Sequence, residues 1–259
     1  MVYDAFSDRF VVFGGVFERG VMDETWVYDP GNNTWTSMNP ESQPSPRTFP
    51  AMVYHPAARV TILYGGLIGG EGNDETWRYS LVDNSWTRLD PPFAPFPRAG
   101  HALSYDPVSG LVILFGGLVT SDPPGRHDDD ETWTYDVFSN LWARREPASR
   151  PPARSQHAMT YDTQMGRVLL FGGRGIDRFN DTWAYDVANN TWTELPLRTD
   201  PDPERLPILL AVVFSVMILG ILTVVFLVER FGGTSDRRRA DSDKRKSRGG
   251  NQFRLRRLR

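Results

Sequence analysis

Leu111-Val-Ile-Leu-Phe115-Gly116-Gly117, followed by Glu131-Thr-Trp133-Thr-Tyr135-Asp136 and then Trp142, decides how this chain folds, because the pattern occurs four times. Phe13-Gly14-Gly15 leads to Glu24-Thr-Trp26-Val-Tyr28-Asp29 and Trp35. Tyr64-Gly65-Gly66 leads to Glu75-Thr-Trp77-Arg-Tyr79 and Trp86. Phe171-Gly172-Gly173 leads to Asp181-Thr-Trp183-Ala-Tyr185-Asp186 and Trp192. The second glycines fall at 15, 66, 117 and 173, in steps of 51, 51 and 56. A period of this size marks one supersecondary unit repeated, each unit burying the face of its neighbour.

Each repeat reads as four short strands. The first runs from an Arg/His lead-in to a Tyr, as in Gly100 to Tyr105, and ends in a turn such as Asp106-Pro-Val-Ser-Gly110. The second is an apolar run without alternation, Leu111 to Phe115 or Val168 to Phe171, which indicates burial on both faces. Gly-Gly ends it, allowing positive φ and close backbone approach. The third is the aromatic Thr-Trp-x-Tyr-Asp, and the fourth is centred on the second Trp after a polar turn such as Val187-Ala-Asn-Asn190. The lead-in is Pro97-Arg98 with His101, and Ala153-Arg154 with His157. Copy two has Pro46-Arg47 with Pro50 in place of the His, and copy one has no lead-in, so it is expected to lack its innermost strand.

These four copies resemble kelch repeats, whose pattern is an apolar strand ending in Gly-Gly followed by a Tyr and a Trp at fixed offsets. The resemblance implies an all-β fold: a kelch-type β-propeller segment over residues 1–194, with four-stranded blades at about 1–36, 46–87, 97–143 and 153–194. Four blades with a cut first copy predict an incomplete ring with an unpaired edge, further blades and an export signal upstream, and pairing of two arcs as one route to closure.

Composition agrees. Eight Trp, nine Tyr and fifteen Phe beside 23 Gly and 20 Pro fit short strands and turns. The absence of Cys excludes disulfides, Cys-ligated zinc and thiol catalysis. The net charge of −3 conceals an asymmetry: residues 229–259 hold twelve Lys/Arg against four Asp/Glu, net +8, and the other 228 residues hold 17 basic and 28 acidic groups, net −11.

The C-terminal quarter has a different organisation. Residues 195–207 form a proline-rich linker. Residues 208–228 carry no charge, and 21 residues in a helix span about 31 Å, the depth of a bilayer core. A single transmembrane α-helix is expected there. Residues 229–259, with Arg237-Arg-Arg239 and Lys244-Arg-Lys246, read as a disordered basic tail. Its charge places it in the cytoplasm, against anionic lipid head groups, with the propeller extracytoplasmic. The span accounts for this basic tail without a nucleic-acid partner.

Strand order puts the loops between strands two and three, and the segments linking blades, on one face. They include residues 16–23, 67–73, 118–130 and 174–180, with 37–49, 88–99 and 143–156. Binding residues usually sit on such loops. Arg47, Arg98 and Arg154 recur at one blade position: as ligand-binding residues they would line the channel mouth, and as structural residues they would pair with Glu75 or Glu131. His101, His157 and Arg174 are further ligand-binding candidates. Asp128, Asp129 and Asp130 are weak metal candidates, without the spacing of a known calcium loop. Asn32, Asn180 and Asn189 head Asn-x-Thr triplets, which turn chemistry also explains. No cofactor is expected. Kelch-like galactose oxidase needs a Cys–Tyr crosslink that this Cys-free chain cannot form, and no residues match the kelch-like sialic acid isomerases. The expected function is therefore non-enzymatic binding of a protein or glycan by a membrane-anchored propeller. The alternatives are an enzyme with a channel site and a tail-anchored cytosolic scaffold.

Overall fold

A computed structural model describes residues 1–18, 20–120 and 125–196. The linker beyond Pro196, the predicted span 208–228 and the basic tail lie outside the described residues. All 21 elements among the described residues are β-strands.

The first blade comprises β1 (Val2–Asp4), β2 (Arg9–Phe17), β3 (Gly20–Asp29) and β4 (Thr34–Ser37), hydrogen-bonded in that order. The second contains β5 (Ala51–His55) and β6 (Val60–Tyr64), then a small loop ribbon, β7 (Leu67–Ile68) with β8 (Glu71–Gly72), then β9 (Thr76–Ser80) and β10 (Ser85–Leu89). The third is preceded by β11 (Arg98–Ala99) and holds β12 (Ala102–Asp106), β13 (Leu111–Phe115), the loop strands β14 (Leu118–Val119) and β15 (His127–Asp128), β16 (Thr132–Asp136) and β17 (Leu141–Arg145). The fourth is β18 (Ala158–Asp162), β19 (Arg167–Phe171), β20 (Thr182–Asp186) and β21 (Thr191–Leu195). All pairings are antiparallel, and strand order in each blade equals chain order. This is the expected all-β propeller segment.

Two local expectations need correction. The first blade does not lack its innermost strand: β1 pairs with β2 through Val2↔Val11, Tyr3↔Phe10 and Asp4↔Arg9, and is only shortened to three residues. Gly14-Gly15 also does not end the second strand there. It forms a bulge between Phe13 and Gly15, and the ladder continues to Phe17↔Gly20. In the other blades an arginine side chain of the same blade occupies the space beside Gly-Gly. Among the described residues the first blade has no such arginine, and its hairpin zips further.

Burial follows from pairing between blades. Val11, Phe13 and Val27 of blade one pack on Leu63, Trp77, Tyr79 and Trp86 of blade two. Ile62 and Tyr64 pack on Val112, Leu114, Tyr135 and Trp142. Ile113 and Phe115 pack on Val168, Leu170, Tyr185 and Trp192. A second strand thus sits between two blades, which explains its lack of alternation.

The glycine pairs permit this close approach. A Cβ on Gly116 would lie 2.5 Å from the Arg154 carbonyl oxygen, and one on Gly117 would lie 2.8 Å from the His101 Cβ. Both residues have positive φ, 61° and 104°. The first glycine therefore admits the next blade and the second admits the lead-in of its own blade.

Candidate functional site: the loop face

Arg47, Arg98 and Arg154 have no exposed surface, and each is held the same way. Nε donates to the carbonyl two residues earlier: Ser45 at 3.0 Å, Phe96 at 3.0 Å and Pro152 at 2.9 Å. Nη1 donates to the carbonyl of the first glycine: Gly65 at 3.2 Å, Gly116 at 3.0 Å and Gly172 at 3.0 Å. Nη2 reaches the carboxylate that opens the third strand: Glu75 at 2.7 Å, Glu131 at 3.0 Å and Asp181 at 2.8 Å. That carboxylate also accepts from the indole two residues on, in Trp77, Trp133 and Trp183. The arginine thus ties lead-in, Gly-Gly corner and third strand into one brace at the base of the loops. These arginines present no guanidinium surface to a ligand, and truncating one partner of such a buried pair costs about 3–5 kcal/mol.

The braces differ in one detail. Arg98 carries a second carboxylate, Asp129, at 2.8 Å, where Arg47 has the Asn73 side-chain oxygen at 3.2 Å and Arg154 stacks on the Phe179 ring at 3.9 Å. Burial raises the Asp129 pKa, against the pull of Arg98 and with the push of Glu131. Burial would also raise that of Glu131, but hydrogen bonding from Trp133 and the charge of Arg98 leave it below its ordinary value.

His101 and His157 are buried in the cleft between blades, edge-on to Tyr64 at 5.4 Å and Phe115 at 5.5 Å. Among the described residues neither ring finds a hydrogen-bond partner of good geometry. Burial, with the charge of Arg98, holds His101 well below the ordinary histidine range, and burial with Arg154 pushes His157 down to about 3. Both are neutral packing groups at pH 7. The Asp128–Asp130 run does not converge: Asp129 faces Arg98, and Asp130 pairs with Arg150 at 3.0 Å. No group of three metal-ligating side chains occurs among the described residues. Arg174 is the one ligand-binding candidate that lies exposed, its backbone paired with Ser155.

Above the braces the loops form a shared surface. In blades two to four the loop after Gly-Gly pairs with the lead-in of its own blade: Leu67 with Thr48, Leu118–Val119 with Arg98–Ala99, and Arg174 with Ser155. The loops of blades two and three are joined as well. Gly72 N donates to Thr120 Oγ1 at 2.9 Å, and Arg126 donates to the Gly70 carbonyl. On these loops and lead-ins stand exposed apolar side chains, Ile176 at 99%, Phe93 at 76% and Phe49 at 56%, and Val16 is exposed at 70% on the unbraced hairpin of blade one. Exposed arginines 174 and 178 lie beside Ile176 in the chain.

A kelch-repeat model, the KLHDC2/KLHL20/DRC7 Kelch-repeats domain, matches residues 104–220. The Attractin/LZTR1 beta-propeller model matches residues 1–160, well over half the chain. The chain belongs to the Attractin/LZTR1 β-propeller family. Within the curated relatives, Multiple epidermal growth factor-like domains protein 8 of Mus musculus is 28% identical over 62% of this chain and 6% of its own length. The F-box/kelch-repeat protein At1g51550 of Arabidopsis thaliana is 28% identical over 64% of this chain and 40% of its own. Adagio-like protein 3 of Oryza sativa subsp. japonica is 27% identical over 63% and 27%. This chain therefore spans well under two thirds of the length of these relatives.

Several structural residues lie outside the candidates that the sequence singles out. Asn33, Asn84, Asn140 and Asn190 all adopt left-handed φ and accept the hydroxyl of the Tyr five residues before. His55 is fully buried and bonds the Gly110 carbonyl of the next blade at 3.1 Å. The Asn was legible as the same residue at the same turn position in all four copies. His55 stands where the other repeats have Asp4, Asp106 and Asp162, and only packing reveals its bond to the next blade.

Proposed function

We propose that this kelch-repeat propeller is a protein-interaction domain that binds its partner through the loop face. The observation that carries this is the pairing of rigidity with exposure: buried Arg–carboxylate braces hold the loops and lead-ins of blades two to four, which offer Ile176, Phe93 and Phe49 to solvent. Exposed apolar side chains on a preorganised base are what a protein partner buries, and arginine at the rim adds directional contacts. The family and the kelch-repeat names of relatives support an interaction role in preference to catalysis.

The propeller is anchored to a membrane by residues 208–228, extracytoplasmic, with the basic tail in the cytoplasm on anionic head groups. Support comes from the 21 uncharged residues and the Lys/Arg excess that follows them. The experiment is proximity capture of surface partners in intact cells, comparing the full chain with Phe93→Ser/Ile176→Ser. Loss of specific partners in the variant, with unchanged surface level, is the expected result. Partners that survive both substitutions, or capture of glycans without protein, would overturn loop-face protein binding. Protease added outside the cells should digest the propeller; protection would overturn its extracytoplasmic placement.

A further inference from the structure

We propose that Asn32 is the acceptor of an N-linked oligosaccharide, and that the other two Asn-x-Thr triplets, at Asn180 and Asn189, stay bare. The modification rests on the extracytoplasmic placement proposed above, because such triplets are acceptors in exported domains. It is independent of loop-face binding.

The turn before the outer strand is built alike in all four blades, and three of them use one residue to close it. Asn32, Asp83, Ser139 and Asn189 hold matching positions, each just before the left-handed Asn that accepts the Tyr hydroxyl. Ser80 Oγ donates to Asp83 at 2.7 Å, Ser139 N donates to Asp136 at 3.4 Å, and Asn189 Nδ2 donates to Asp186 at 2.6 Å. Each bond ties the residue back to the first residue of its turn. In blade one that first residue, Asp29, accepts from Gly31 N at 2.8 Å and pairs with Arg9 at 2.8 Å. Asn32 makes no bond to it, and among the described residues Asn32 Nδ2 has no partner. Turn chemistry therefore accounts for the Asn189 side chain and leaves that of Asn32 unexplained.

Asn32 has the arrangement of an acceptor. It and Thr34 are both exposed, and the Thr34 hydroxyl donates to the Asn32 carboxamide oxygen, which leaves Nδ2 to solvent. The folded turn can carry a sugar there without losing a bond. At Asn189 the Thr191 hydroxyl donates to the Asn189 backbone carbonyl instead, at 3.0 Å. A sugar on Asn189 Nδ2 would crowd Asp186 Oδ2, which that nitrogen and Arg167 already share at 2.6 and 2.9 Å. At Asn180 the middle residue, Asp181, is held by Arg154 and Trp183, each at 2.8 Å, and Thr182 is paired on both sides in the ladder. That triplet also lies close in the chain to Ile176 and Arg178, where a glycan would cover the surface offered to a partner. Asn32 follows the ten-residue β3, at its far end from the loop, so a glycan there leaves the loop face open. In the transfer, Asn32 Nδ2 bonds to the anomeric carbon of a lipid diphosphate-linked oligosaccharide. The bond from that carbon to the diphosphate oxygen breaks, its electron pair leaves with the lipid diphosphate, and one Nδ2 proton passes to a base of the transferase.

The test expresses the full chain in cells with a secretory pathway, as it stands and with an added export signal that delivers the propeller to the lumen whatever its own topology. The readout is the mobility shift on removal of N-linked sugar by a glycosidase. Wild type is expected to carry one glycan in both forms. Asn32→Gln and Thr34→Ala should each abolish the shift, and Thr34→Ser, which keeps the hydroxyl, should retain it. Asn180→Gln and Asn189→Gln should leave it unchanged. A glycan that appears only with the added signal would overturn the extracytoplasmic placement, and with it the modification of the native chain, while the site itself stands. No glycan in either form, a shift that persists in Asn32→Gln, or more than one glycan on wild type would overturn the assignment of Asn32.

Discussion

His101 and His157 are buried imidazoles whose rings touch aromatic edges and no good hydrogen-bond partner among the described residues. A proton on either ring would be a buried cation beside Arg98 or Arg154. Their folded-state pKa values lie below the ordinary 6.5, so as pH falls through 6.5 the unfolded chain takes up these protons first. Stability is therefore full above about pH 6.5 and falls as pH drops toward the folded value, about 3 for His157. Each histidine contributes a slope of about 1.4 kcal/mol per pH unit. Glu75, Glu131 and Asp181 have lowered pKa values and add their losses only below about pH 4.5. Urea midpoints at pH 7, 6 and 5 should decline for wild type, and His157→Phe should remove about half of that slope. An unchanged slope in the variant would show that His157 is not the group that titrates.

At the scale of the element, the glycine pair separates two costs that usually travel together. Gly116 and Gly172 occupy the same position in adjacent blades with φ of 61° and 66°. A Cβ at Gly116 meets the Arg154 carbonyl at 2.5 Å and the His157 ring at 3.1 Å, whereas at Gly172 its nearest neighbour is the Phe179 carbonyl at 3.4 Å. Left-handed φ costs about 1–2 kcal/mol for alanine at either site. Only Gly116→Ala must also push backbone apart. Chemical denaturation should find Gly116→Ala more destabilised than Gly172→Ala by about 1–3 kcal/mol, the usual cost of overpacking. Equal losses would mean that backbone strain alone selects glycine there.

Across the whole molecule, stability should grade along the blade row. Repeat proteins gain much of their stability from contacts between neighbours. Blade three has such contacts on both faces, through Tyr64–Trp142 and Phe115–Trp192, whereas among the described residues the outer face of blade one bears the row of Tyr3, Phe10, Tyr28 and Trp35, exposed or half-buried. Hydrogen exchange should be faster in Thr34–Ser37 than in Leu141–Arg145, the matching outer strands. Equal protection would indicate that the blades unfold as one unit.

The repeat period, the four strands of each blade and the buried second strands were all present in the linear pattern, since spacing and hydropathy are local properties of the chain. The sequence left two roles open for Arg98, ligand binding or pairing with Glu131, and burial of its guanidinium against that carboxylate decided between them. Tertiary structure decided what lies across the blades. It put the Trp142 indole on Thr76, brought Asp129 onto Arg98 while Asp130 turned to Arg150, and completed the first blade with β1. Those outcomes depend on which faces meet in space, across as many as 66 residues for Trp142 and Thr76, and side-chain direction there is set by packing.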